Sequence, residues 1–155
     1  MRRKLAAFFA LLVLAPAGAR AVTLPGISYE VLASGPASGP HPTRADSVSM
    51  RYVGKLADGQ VFSTSPEDGR GLSTFEVKGV IPGMSAALQL MRPGDRWRIV
   101  MPPYLAYGPG RPVTAPAPVG SPAAQAIQKR SIPPEATLTF DVELVSILPP
   151  KASPQ

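Results

Sequence analysis

The side chains that most often carry covalent chemistry are scarce in this chain. It has no cysteine and a single histidine, His41. Thiolate catalysis, disulfides, zinc fingers and iron–sulfur clusters are thereby excluded, and no second imidazole exists for a zinc or haem site. A serine triad needs a histidine held by a framework. His41 sits between Pro40 and Pro42 in a Gly/Pro run and reads as a locally satisfied loop histidine. Glu67-Asp68 and the pair Asp141 and Glu143 offer carboxylates for general acid–base work. Turn chemistry accounts for the first pair and a solvated strand face for the second. The glycines form no phosphate-binding pattern, and no metal-ligand spacing is present. No metal and no cofactor are expected.

What stands out is apolar and aromatic. Tyr52, Phe62, Val80-Ile81, Tyr107 and Phe140 each lie beside a turn signal. Periodicity alone reads each as core. Tyr107 fits that reading least well, because Tyr107-Gly108-Pro109-Gly110 opens a loop and a buried phenol needs a hydrogen-bond partner.

The elements that must position these residues are mostly strands. Ile27–Val31 is a short strand candidate, followed by a loop through Ser34–Pro42. Ser47–Val53 alternates, with Val48, Met50 and Tyr52 on one face. Asp58-Gly59 is a hairpin signal, and Gln60-Val61-Phe62 resumes an extended segment. Leu72–Val77 predicts a further short strand. Arg96–Met101 places Trp97, Ile99 and Met101 on one side. Ala136–Leu148 alternates until Val145, where the phase changes, as at a bulge or a strand leaving its sheet. One helix is predicted over Pro82–Met91. Proline suits its first turn, Met84, Ala87, Leu88 and Met91 form its apolar stripe, and Pro93-Gly94-Asp95 stops it. Such a helix is too short to stand alone, so its stripe must pack on the sheet. The design is α+β.

The chain has 155 residues, room for one domain. At 45% apolar and 17% charged it can bury a core, while 20 prolines and 14 glycines disfavour long helices. Arg2-Arg3-Lys4, the apolar run Leu5–Leu14 and Ala19-Arg20-Ala21 read as a secretory signal peptide over 1–21. Ten apolar residues are too few to span a bilayer, so no stable membrane insertion is expected after cleavage. Without those four bases the net charge of +6 falls to about +2. No basic, aromatic-interleaved footprint for nucleic acid remains. The expected organisation is an arm and loop over 22–44, a domain over 45–148 with a Pro/Ala-rich insertion at 109–130, and a polar tail at 149–155. Pro122–Arg130 within the insertion has the period of one or two helical turns. No heptad or unusually apolar edge segment is present, so a monomer is expected.

Six motifs in series then resemble the FKBP-type peptidyl-prolyl isomerases. They are Val48–Gly54, Asp58-Gly59-x-Val61-Phe62, Gly79–Met84, Met91-x-Pro93-Gly94-Asp95, Pro102-Pro103-x-x-Ala106-Tyr107-Gly108 and the run from Ile132 to Leu144. The resemblance covers about Ser47 to Leu148. It implies a bent, five-stranded antiparallel sheet wrapped around one short helix, with an apolar pocket between them. It implies isomerisation of X–Pro bonds in exported or unfolded polypeptides, in the periplasm and without cofactor, with macrolide inhibitors as further partners. By the same resemblance Tyr52, Phe62, Val80, Ile81 and Phe140 are pocket walls, Met84 is the floor, and Ile132 bounds a rim. The Ile81 N–H and the Tyr107 hydroxyl would donate to substrate.

Three departures from the family pattern are visible. Met84 stands where tryptophan is usual, Ser63 stands where aspartate is common, and the 109–130 segment is long. A methionine floor is less rigid, and a serine hydroxyl polarises the site less than a carboxylate. These changes predict a reduced rate, and they make a proline-peptide-binding or chaperone module with weak turnover the alternative.

Overall fold

Alternation of apolar and polar side chains forms strands where one face can be buried. The computed structural model describes residues 21–24, 26–65, 71–111 and 131–150. Its strands are β1 (Ala21–Leu24), β2 (Ile27–Ala33), β3 (Ser47–Lys55), β4 (Val61–Thr64), β5 (Ser73–Glu76), β6 (Arg96–Met101) and β7 (Leu138–Leu148), with one α-helix, α1 (Pro82–Leu88). All pair antiparallel in the order β1-β2-β6-β7-β3-β4, and β5 also pairs with β3. β4 pairs with Val53–Lys55 and β5 with Ser47–Met50, so the two share one sheet edge. From that edge to β2 the sheet has the five expected positions. β1 adds a sixth by a hairpin onto β2. The arm is thus part of the sheet, because β2 runs along β6 from Ser28 to Ala33.

The phase change at Val145 is a bulge. Ser49 faces Ser146 and Met50 faces Leu144, which leaves Val145 over. The Asp58-Gly59 turn closes the β3–β4 hairpin. Gly59 has φ +88, and the Asp58 carboxylate accepts the Gln60 N–H at 2.9 Å.

α1 is shorter than the stripe predicts. It ends at Leu88, and Leu90 and Met91 bond back to Ala87 and Leu88 in a tightened turn. The residue before a proline avoids helical backbone, so the chain leaves the helix ahead of Arg92-Pro93. Buried Asp95 holds this exit. Its carboxylate accepts the Arg92 N–H at 2.7 Å and the Gly35 N–H at 2.6 Å, docking the 34–40 loop. A side chain at Gly35 would collide with the Pro93 carbonyl oxygen. The His41 ring lies 3.2 Å from the Met91 carbonyl, as a satisfied loop histidine should.

The core is one cluster. Met84, Ala87 and Leu88 of α1 join Val48 and Met50 of β3, Ile99 and Met101 of β6, and Leu138, Phe140, Val142 and Leu144 of β7. The signal segment up to Arg20, the insertion from 112 to 130 with its expected helical turns, Glu67-Asp68 and the tail from 151 lie outside the described residues.

Candidate functional site

Where α1 begins against the sheet, the core opens into a cavity of about 240 Å³. β3 supplies Met50 and Tyr52, β4 supplies Phe62 and Ser63, and β7 supplies Phe140. Phe75 of β5, Gly79, Val80 and Ile81 line the side leading into α1, and Met84 of α1 and Tyr107 complete the lining. Eight of the nine residues singled out in the sequence therefore meet around one hollow. The ninth, Ile132, does not line it. Ile132 is buried in the core, and its backbone pairs with Arg111 at the base of the insertion.

The aromatic walls hold one another. Phe62 meets Phe140 edge-on at 5.6 Å and 90°, and Tyr52 meets Phe75 edge-on at 5.8 Å. Such contacts are favourable beyond area burial. They need a glycine beneath them. A Cβ on Gly54 would lie 2.8 Å from Phe62 Cζ and 2.9 Å from Phe140 Cε1. β3 and β7 are in register there, Gly54 opposite Phe140.

Polar groups are few and placed. The Tyr52 hydroxyl lies 3.1 Å from Ser63 Oγ, so the serine holds the pocket tyrosine. Buried Ser65 brackets the Tyr52 backbone: Tyr52 N–H donates to Ser65 Oγ at 2.7 Å, and Ser65 N–H donates to the Tyr52 carbonyl at 3.0 Å. Ile81 is extended, φ −56 and ψ 148, as a residue before proline must be. Its carbonyl accepts the Ser85 N–H at 3.0 Å, opening the helix. Among the described residues its own N–H has no backbone acceptor. The Tyr107 hydroxyl likewise has no partner among them, which resolves its awkward fit as core: Tyr107 is half-buried at the cavity wall. The site is therefore apolar and, among the described residues, leaves the Ile81 N–H and the Tyr107 hydroxyl without acceptors.

Asp141 and Glu143 lie elsewhere. Asp141 accepts from Lys55 Nζ at 2.9 Å and from Arg98 Nε at 2.8 Å, and Glu143 accepts from Arg51 at 3.3 Å. All project from the sheet face opposite Phe140 and Val142. Burial alone would raise the Asp141 carboxyl, but Arg98 and Lys55 outweigh it and hold it below its ordinary value. These are ion pairs of a solvated face. Among the described residues no cluster of His, Asp or Glu could hold a metal.

Met50, Gly54, Phe75, Gly79 and Ser65 were not among the predicted site residues. Phe75 and Met50 carried a signal, since each falls on the inner phase of its strand. Nothing local marks Ser65 or Gly54, because their roles depend on partners across the sheet.

The fold and the hollow belong to a known class: residues 39–145 match the FKBP-type peptidyl-prolyl cis-trans isomerase family, and the chain is a member of it. The FKBP-type 22 kDa peptidyl-prolyl cis-trans isomerase of Escherichia coli is 41% identical over 123 residues, 79% of this chain and 50% of that one. The outer membrane protein MIP of Legionella longbeachae is 38% identical over 127 residues, 81% of this chain and 46% of that one. Among solved structures, a peptidyl-prolyl cis-trans isomerase from Pseudomonas syringae superposes with a TM-score of 0.59 at 32% identity, over 79% of this chain and 75% of that one. The chain spans about half the length of these curated relatives. Among the described residues no helix is long and apolar enough to cross a membrane.

Proposed function

We propose that this chain accelerates cis–trans rotation about X–Pro peptide bonds in polypeptides, within the periplasm and without cofactor. The observation that carries this reading is an aromatic-walled cavity in which, among the described residues, the Ile81 N–H and the Tyr107 hydroxyl have no acceptor. The barrier to rotation, about 18–20 kcal/mol, is mainly lost amide resonance. At the twisted transition state the carbonyl carries less negative charge and the proline nitrogen is pyramidal. An apolar pocket favours that state over the planar, more dipolar amide, which is differential binding without acid, base or metal. Each 1.36 kcal/mol so gained is about tenfold in rate.

The roles assigned are these. Tyr52, Phe62, Val80 and Phe140 wall the proline ring, and Met84 is its floor. The Ile81 N–H and the Tyr107 hydroxyl hold the substrate backbone on either side. Ser63 orients Tyr52. Ile132 bounds the other rim through its backbone pairing with Arg111. Macrolide inhibitors would compete for the same hollow. Export is supported by the basic start and apolar run of the sequence and by the outer-membrane name of one relative. The acting unit is taken as a monomer.

A conformer-specific assay on a Leu-Pro peptide with protein lacking residues 1–21 tests the reading. Acceleration above the uncatalysed rate is expected, lost when Phe62→Ala and Tyr107→Phe are combined with circular dichroism unchanged. Peptide binding without acceleration would overturn it in favour of the binding module, the alternative that Met84 and Ser63 raise.

A further inference from the structure

We propose that Arg111 sets the substrate preference of this cavity, favouring X–Pro segments that carry a carboxylate beside the proline. The inference rests on the isomerase reading and names a substrate class for the same site. Tyr107 is a cavity wall and also a platform for a cation: the Arg111 guanidinium carbon lies 4.9 Å from the centre of its ring. The backbone puts it there. The Gly110 N–H donates to the Tyr107 carbonyl at 2.8 Å and turns the chain back on itself. Gly110 has φ +94, and a Cβ on it would lie 2.7 Å from the Ile132 carbonyl oxygen, so the turn requires glycine. Arg111 and Ile132 then exchange backbone hydrogen bonds in both directions, at 2.9 and 3.0 Å.

The guanidinium is thus placed by a ring face and a two-way backbone clamp. Among the described residues none of the ion pairs involves it. Glu135 stands on the same loop, its N–H donating to the Gly108 carbonyl at 2.8 Å, yet makes no ion pair with Arg111. Glu76 packs near the cavity residue Gly79, but it is paired with Lys78 at 3.6 Å. Among the described residues Arg111 is thus a cation outside every ion pair, stacked on a wall of the cavity. A stacked guanidinium keeps its N–H edge free, and that edge fits a carboxylate bidentately.

The test is kcat/KM and, in parallel, Kd by fluorescence anisotropy for peptides with Glu, Gln or Lys before the proline, and for the same set after it. Wild type, Arg111→Gln and Arg111→Lys are compared, and ratios between peptides cancel any common loss. The expected result is a preference for Glu over Lys of about fivefold at low salt, at one of the two positions, shrinking in high salt. Arg111→Gln should bring the ratio to about one, with Arg111→Lys between them because it keeps the charge and loses the planar fork. A Glu-to-Lys ratio that Arg111→Gln leaves unchanged at both positions, or a wild-type preference for Lys, would overturn the proposal. If no peptide is turned over, the isomerase reading fails instead. A Glu-over-Lys affinity ratio that vanishes in Arg111→Gln would still uphold the role of Arg111.

Discussion

On one face of β3, β6 and β7 stand Met50, Tyr52, Trp97, Ile99, Phe140 and Val142; on the other stand Arg51, Lys55, Arg98, Asp141 and Glu143. The same strands, in the same register, make a shaped apolar hollow on one side and a ladder of ion pairs on the other. The ladder reaches four strands, since Arg98 also meets Glu30 of β2 at 3.8 Å. Its members are water-facing, and exposed pairs of this kind contribute little singly. The hollow is governed by contact geometry instead, where a shift of a ring is felt at once. Tolerance to change therefore alternates residue by residue along each strand.

Substitutions on the two faces should therefore separate in size. Phe140→Ala removes a buried ring that meets both Phe62 and Tyr52, and should cost about 3–5 kcal/mol in a denaturant titration. Gly54→Ala forces the Phe62 and Phe140 rings apart. It should cost about 1–3 kcal/mol and lower turnover more than its stability loss explains, as read at a temperature where both proteins are folded. Tyr107→Phe deletes a hydroxyl that has no partner among the described residues. Its melting temperature should stay put while kcat/KM falls about tenfold, the worth of one hydrogen bond to substrate.

Ser63→Ala frees the Tyr52 hydroxyl from its 3.1 Å contact, and a loss of about twofold to fivefold in kcat/KM is expected. The smallest effect belongs to the outer face. Asp141→Asn should leave turnover unchanged and cost about 1 kcal/mol or less, despite its two cationic neighbours. Because the folded carboxyl is held low, its stabilisation is present above the unfolded value of about 3.9 and lost as pH falls through the folded one. The wild-type and Asp141→Asn stability curves should run parallel from neutral pH down to about 5 and converge below about 4. A variant at Asp141 that abolished turnover would erase the distinction between the faces.

Much of the fold could be read along the chain because its signals are local. Arg96–Met101 is observed over the span its alternation predicts, and Val145 is the bulge its phase change marks. Pro82 opens α1 for a reason contained in one residue. The apolar stripe runs three residues past the observed end of α1, since it continues through Met91 whether or not the helical backbone does. β1 had no periodic signal over its four residues, and it forms because β2 offers an open edge.

Most strands, the apolar face of each, and the lack of any thiol or second imidazole were legible along the chain, because alternation, turn residues and composition act over a few neighbours. It took the folded chain to show that Phe75 joins the cavity, that Gly54 must lack a side chain, that Ile132 pairs with Arg111, and that Arg111 lies over Tyr107. Those facts depend on strand register and on a turn between residues that are distant in sequence or unrelated in type. No local pattern encodes which side chain will be standing opposite.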